Sequence, residues 1–295
     1  KSPQTIVTTH SPTLAASVPP SRIHVLFTDP TTKEPRCNSI AKAGMDKVEE
    51  MALQRMLDIT RATLYFAKGV ILVEGISESL LLPVLAKRLN YDLAKLHISV
   101  IPICGVAFET FKKLLNPDAL GIPAAIITDA DPQVTKGTTW EDDLPESENG
   151  AFKLSARTSE LEKVFAGHPT VLVKHSQITL EYDLAEAGDN NALVMSKVWK
   201  CCFKGIPRTL TDELVAAAGN NRKSKGLCVW RGICRASHSG SKAEFAQRLA
   251  ATLEQFGNDE MTIEPFEVPR YIEDAIKFVV GKVQAAATPA WSSGS

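Results

Sequence analysis

A chain of 295 residues, 44% apolar and 23% charged, is long enough for a sizeable core and has the balance of an ordinary globular protein. Its net charge of −1 gives no bulk-charge argument for a nucleic-acid partner, so any basic surface has to be local. There is no apolar run of about 18 residues to make a membrane-spanning helix, and KSPQTIVTTH at the start lacks the charged-then-apolar plan of a signal peptide.

The chain starts with Lys and is read as part of something longer. The first thirty residues have the pattern of the tail of an α/β unit: a strand over 5–9, a short helix through 14–18 and a strand over 23–27. Residues 40–67 predict one long helix, with Val48, Ala52, Leu53, Met56, Leu57 and Leu64 on its apolar stripe. From residue 69 strands and helices alternate. Strands are expected at 70–73, 97–103, 124–128 and 170–174, with helices at 78–90, 108–115 (after Gly105) and near 156–166. Residues 132–150, with Gly137, Pro145, Gly150 and the run Glu141-Asp142-Asp143, predict a polar loop. This order predicts an α/β fold with a mostly parallel sheet flanked by helices. Helical periodicity dominates 190–285, and the end of the chain reads as disordered. The expected domains are 1–36, a linking helix at 37–67, an α/β domain at 68–190, a helical domain at 191–285 and a tail at 286–295.

The six cysteines, Cys37, Cys104, Cys201, Cys202, Cys228 and Cys234, form no CxxC and have no zinc-finger partner histidines. They predict reduced thiols in a cytoplasmic protein, and a Cys228–Cys234 disulfide stays open.

Two apolar strands end in acids. VILV is followed by Glu74-Gly75 and then Glu78, and AAIIT by Asp129 and Asp131. In open parallel sheets function gathers at the carboxyl ends of strands, and neighbouring strands lie about 5 Å apart. The Asp pair, two residues apart, is expected to share a face of the strand end. Carboxylates gathered there repel one another unless a cation is present. Hard oxygen ligands suit Mg²⁺ or Mn²⁺, and such sites serve phosphoryl chemistry. Each acid also has a plainer reading. Glu78 can serve the helix dipole, and Asp131-Pro132 can mark a turn.

The Glu at one strand end and the later Asp-x-Asp resemble the Toprim domain of topoisomerases, primases and related nucleases. The wording VEGISESLLLPVLA, ITDADP and ITLEYDLA is similar to the OLD (overcoming lysogenisation defect) family of ATP-dependent nucleases. The resemblance covers residues 68–190 and part of the helical region. It implies a DNA nuclease, endonuclease or exonuclease, using two Mg²⁺ or Mn²⁺ ions. The first ion is assigned to Glu74, Glu78, Asp129 and Asp131. The second is assigned to Glu181, with Asp183 as a further acid. SGSKAEFAQRLA resembles a lysine motif of that family, which assigns Lys242 to the transition-state charge. TIVTTHSP resembles the end of an ABC-type ATPase, with His10 as its switch histidine. No GxxxxGK[ST] occurs, so ATP would act only through a domain absent from this chain. The resemblance further implies DNA as partner, a homodimer or higher oligomer of the longer protein, an associated helicase and a part in phage defence. Lys112-Lys113 and Arg222-Lys223-Ser224-Lys225 are the local basic groups available for phosphates.

Two other classes stand beside this reading. ITDAD also resembles the strand end of haloacid-dehalogenase-type phosphatases, but Gln133 stands where that signature has Thr or Val, and Glu74 would have no role. A Toprim fold can also serve as a DNA-binding or assembly module without activity in isolation.

Overall fold

The computed structural model describes residues 5–28, 32, 34–57, 61–104, 108–202, 210–236, 242–258 and 265–287. Gly105, the residues 239–241 that precede Lys242, and the last eight residues of the expected tail lie outside these. The first two residues of that tail, Ala286 and Ala287, are helical.

Residues 5–10 are exposed and pair with no strand, so the strand expected at 5–9 is absent there. Helix α1 (Pro12–Ala16) starts on a cap in which Leu14 N–H donates to Ser11 Oγ. Strand β1 (His24–Thr28) pairs antiparallel with β2 (Pro35–Ser39) as a separate two-stranded sheet.

The long helix expected over 40–67 is three pieces. A 3₁₀ turn, Ile40–Ala43, stops at Gly44, whose φ of 63° is left-handed. Helix α2 (Lys47–Met56) starts afresh on a capping box: Asp46 accepts from Val48 N–H and Glu49 N–H, and Glu49 accepts from Asp46 N–H. No Gly or Pro ends α2. Its last carbonyl, Met56 O, instead accepts from Arg61 Nη1, and the same guanidinium donates to Pro102 O and Ile103 O. A tertiary contact therefore overrides helix propensity. A second 3₁₀ segment, Arg61–Phe66, leads into the main sheet.

That sheet is parallel. It holds β3 (Gly69–Val73), β4 (Ile98–Pro102), β5 (Ala124–Thr128) and, after the insert below, β10 (Val171–His175), in the order β10-β5-β3-β4. The central strands β3 and β5 are buried at every residue, because both faces are covered. Alternate residues serve two cores. Val70, Leu72, Ala124 and Ile126 pack with Leu53, Leu64, Phe108 and Phe165 on one face. Ile71, Val73, Ala125 and Ile127 pack with helical residues on the other.

Helix α3 (Ile76–Arg88) follows β3. The helix expected over 108–115 is only a 3₁₀ turn, Phe108–Phe111. The expected polar loop at 132–150 carries two short antiparallel pairs, β6 (Val134–Thr135) with β7 (Leu144–Pro145) and β8 (Ser147–Glu148) with β9 (Ala151–Phe152). Its acid Asp143 is buried, and its carboxylate accepts from Arg235 Nε at 2.8 Å and from Gly137 N–H at 3.0 Å. Helix α4 (Ala156–Phe165) then leads to β10.

Helices α5 (Leu180–Ala187), α6 (Asn191–Cys202), α7 (Asp212–Ala217), α8 (Arg222–Trp230), α9 (Lys242–Asn258) and α10 (Arg270–Ala287) complete the chain, with a π-helical segment at Arg231–Arg235. They form one core with the sheet: Trp199, Phe245, Leu249, Ile276 and Val280 share the cluster of Ile71 and Ile127. Close approach is needed where α8 meets α5, since a Cβ on Gly226 would lie 2.8 Å from the Tyr182 ring. All six cysteines are free. Among the described residues no helix is long and apolar enough to cross a membrane.

Candidate metal centre

In the register of the sheet Val73 pairs with Ile127, so the chain leaves β3 at Glu74 beside the end of β5. Glu74 Oε1 accepts from Thr128 Oγ1, from Asp129 N–H at 3.0 Å and from Arg157 Nη1 at 3.1 Å. Gly75 is the N-cap of α3. Its N–H donates to Glu78 Oε2 at 3.1 Å, which makes Glu78 a cap as well as an acid facing the cluster. Glu78 is buried and its carboxyl is pushed above the usual range, first by that burial, with the charges of Glu181 and Glu74 adding to it.

Asp129 is the electrostatic centre. Its Oδ1 accepts from Leu180 N–H at 2.9 Å, at the start of α5, and from Ser176 Oγ at 3.2 Å, after β10. Desolvation raises its carboxyl well above the ordinary value, and Glu181, Glu78, Glu74 and Asp131 all push in the same direction. The strand ends at Thr128, and Asp131 sits in a left-handed conformation (φ 44°) with its N–H on Ile178 O. Alternation along a strand therefore no longer applies, and Asp is among the residues that tolerate this backbone. Asp131 is half exposed and accepts from Arg157 Nη2 at 2.8 Å. Burial raises its pKa, against the opposing charge of Arg157.

Glu181 lies in the first turn of α5 and is buried, so it belongs to no solvated turn. Burial works to raise its carboxyl, but Lys242 Nζ at 3.1 Å and the thiol of Cys234, which donates at 3.3 Å, hold it below the ordinary value. For Lys242 burial acts the other way, and Glu181 overcomes it, so the ammonium is held firmly protonated. Lys242 is the first residue of α9, and its side chain is 45% exposed. Cys234 comes from the π-helical segment, a geometry that recurs at functional sites.

Two expected residues stand away from this group. Asp183 is two positions from Glu181, on the other side of α5, and its Oδ2 accepts from Gln177 N–H at 2.8 Å and Ile178 N–H at 3.4 Å. Burial pushes its pKa up to about 7 in spite of those bonds. Its work is to lock the turn between β10 and α5. Asp183→Ala, which strands two backbone donors, is expected to cost about 1–3 kcal/mol in chemical denaturation. The His10 ring lies 6.4 Å from that of Phe66, tilted by 44°, and Phe66 precedes β3, whereas Glu74 follows it. The expected basic groups are partly consumed within the fold. Lys113 pairs with Glu49 at 2.6 Å, Arg222 with Asp189 at 2.7 Å, and Lys225 donates to Asp189 O.

The sequence reading missed Arg157, Ser176, Thr128 and Cys234. Arg157 carried a signal, because a cation in the first turn of a helix opposes the dipole, the argument that also favoured Lys242.

Among the described residues no three Asp, Glu, His or Cys side chains are arranged as a ready metal site. The donor chemistry nonetheless fits a hard divalent cation. Glu74, Glu78, Asp129, Asp131 and Glu181 offer only carboxylate oxygens, and burial, with the neighbouring acids adding to it, makes ionisation of Asp129 and Glu78 costly unless a cation joins them.

Residues 65–131 match the family described as overcoming lysogenization defect protein-like, TOPRIM domain. The fold is similar to a structure of the C-terminal region of the Burkholderia pseudomallei OLD protein. The two share 25% identity, over 74% of this chain and 99% of that one, with a TM-score of 0.50. The C-terminal region of the Xanthomonas campestris pv. campestris OLD protein gives 26% identity, over 75% and 97% of the two chains, with a TM-score of 0.48. No curated protein matches the chain.

Proposed function

We propose that this chain, which carries a Toprim domain of the OLD-like family, hydrolyses phosphodiester bonds of DNA with the help of divalent metal ions. The observation that carries the reading is the convergence of acids at Asp129, whose N–H donates to Glu74 Oε1 at the end of β3 and whose Oδ1 accepts from Leu180 N–H at the start of α5, beside Glu181. Glu74, Glu78, Asp129 and Asp131 would hold one Mg²⁺ or Mn²⁺, and Glu181, with Asp129 or Asp131, a second. Bound there, such ions generate a nucleophile from water and stabilise charge on the phosphate.

The chain's own groups have definite tasks. Ser176 Oγ and Leu180 N–H fix one oxygen of Asp129, and Thr128 Oγ1 and Asp129 N–H fix one oxygen of Glu74. Lys242 stays protonated, so it acts as a fixed positive charge for the phosphate and not as a base. Tyr65 and Tyr182 have buried hydroxyls without hydrogen-bond partners, and burial raises both phenols. Tyr271, the tyrosine whose phenol the acids Asp183, Asp129, Glu78 and Glu181 affect, is raised as well, first by burial, so none of these three is a ready nucleophile for a covalent tyrosyl intermediate. In this reading ATP acts through a domain outside this chain, and oligomerisation or a helicase partner belongs to the longer protein.

The test uses supercoiled plasmid with Mg²⁺ or Mn²⁺, an EDTA control and Glu74→Ala. Nicking or linearisation is expected from the wild type only, and only with metal. Folded wild type that leaves the plasmid intact while binding it would favour a DNA-binding module.

A further inference from the structure

Arg157 sits where a cation is disfavoured, in the first turn of α4. Its guanidinium forks between two acids that leave different strands, Nη1 to Glu74 Oε1 at 3.1 Å and Nη2 to Asp131 Oδ2 at 2.8 Å. The base of the fork is fixed to the same strand end, since Thr158 Oγ1 donates to Asp129 O at 2.7 Å and Ser155 Oγ caps the helix. Two hydrogen bonds to two carboxylates give Arg157 the position and charge sign of a bridging cation.

We propose that Arg157 is a built-in counter-cation, which holds Glu74 and Asp131 in the metal-free protein and must release them before a divalent ion binds. The inference rests on the reading of this cluster as a metal site. Arg157 takes Glu74 Oε1 and Asp131 Oδ2, and a divalent ion held by the remaining oxygens of the same two carboxylates would sit beside the guanidinium, where their like charges repel. The side chain is 32% exposed, so it has solvent to move into. Metal loading is thereby linked to release of an arginine at the mouth of the site, and linkage of this kind is reciprocal.

Calorimetric titration with Mn²⁺ tests this on the wild type, Arg157→Gln and Arg157→Lys. The Gln variant is expected to bind Mn²⁺ about tenfold more tightly or better, and Lys, which keeps the charge, to stay within about threefold of the wild type. A merely structural arginine would give equal or weaker binding in Arg157→Gln. That result with a metal-binding wild type overturns the competition and leaves the metal site standing, as would equal tightening in both variants. A wild type that binds no Mn²⁺ removes the metal site and the competition together. A second measurement needs no variant: modification of Arg157 by phenylglyoxal, mapped by mass spectrometry, must speed up when Mn²⁺ saturates the protein. An unchanged or slower rate contradicts the proposal.

Discussion

Asp129→Asn is expected to make the metal-free protein more stable and the nuclease inactive. The Asn oxygen can still accept from Ser176 Oγ and Leu180 N–H, so the local geometry survives. What disappears is a desolvated charge among four other acids. The sign follows from linkage. The folded-state pKa of Asp129 is raised, so the folded chain binds the proton more tightly than the unfolded chain. Stability from this group is greatest near and below the ordinary value of 3.8, and it is lost as pH rises toward the raised value. At neutral pH the substitution removes that penalty. Thermal melts are expected to show a gain of about 1–2 °C, the size of roughly 1 kcal/mol in a chain of this length. Plasmid cleavage is expected to fall by about 10³-fold or more, because a carboxylate that would hold metal is gone. A variant both less stable and still active would mean that Asp129 is a structural acid.

Lys242→Met is expected to lose on both counts. Glu181 would remain buried without its cation, keeping the Cys234 thiol and a backbone N–H as donors, and burial would then act on its carboxyl without the opposing charge of Lys242. Breaking a fully buried pair costs about 3–5 kcal/mol. The Lys242 side chain is 45% exposed, so about 1–3 kcal/mol is expected here. Cleavage should fall by about 10²–10³-fold, the usual loss when one preorganised charge partner of a developing oxyanion is removed. The pH profile carries a separate signature. A raised lysine pKa contributes its stability in full below the ordinary 10.5 and loses it only above that value. Wild-type activity between pH 7 and pH 9 should therefore show no titration from Lys242. Lys242→Arg, which keeps the charge, should recover most of the stability.

The parallel sheet and its acids were legible because β3 and β5 are continuous apolar runs that stop on carboxylates at one end of one sheet. The same local logic failed where a distant contact decides. Nothing near residue 57 in the sequence announces that Arg61 will reach Met56 O, Pro102 O and Ile103 O and divide the long helix. The strand alternation that paired Asp131 with Asp129 stops at Thr128, and Asp131 is left-handed, so its place in the group comes instead from Arg157, which ties it to Glu74. The loop latch Asp143–Arg235 and the Cys234–Glu181 contact join residues 92 and 53 positions apart, a separation at which no periodicity speaks. Glu181 and Lys242 came from family resemblance, and the structure places them 3.1 Å apart, although 61 positions of sequence separate them.

The most direct test of the central claim is Mn²⁺ binding followed by electron paramagnetic resonance, on the wild type and on a Glu74→Gln, Asp129→Asn double variant. Quenching of the free-ion signal by the wild type, with the folded double variant leaving it free, is the predicted result. Equal binding by both, or none by either, would mean that the acids at the ends of β3 and β5 are not a metal centre.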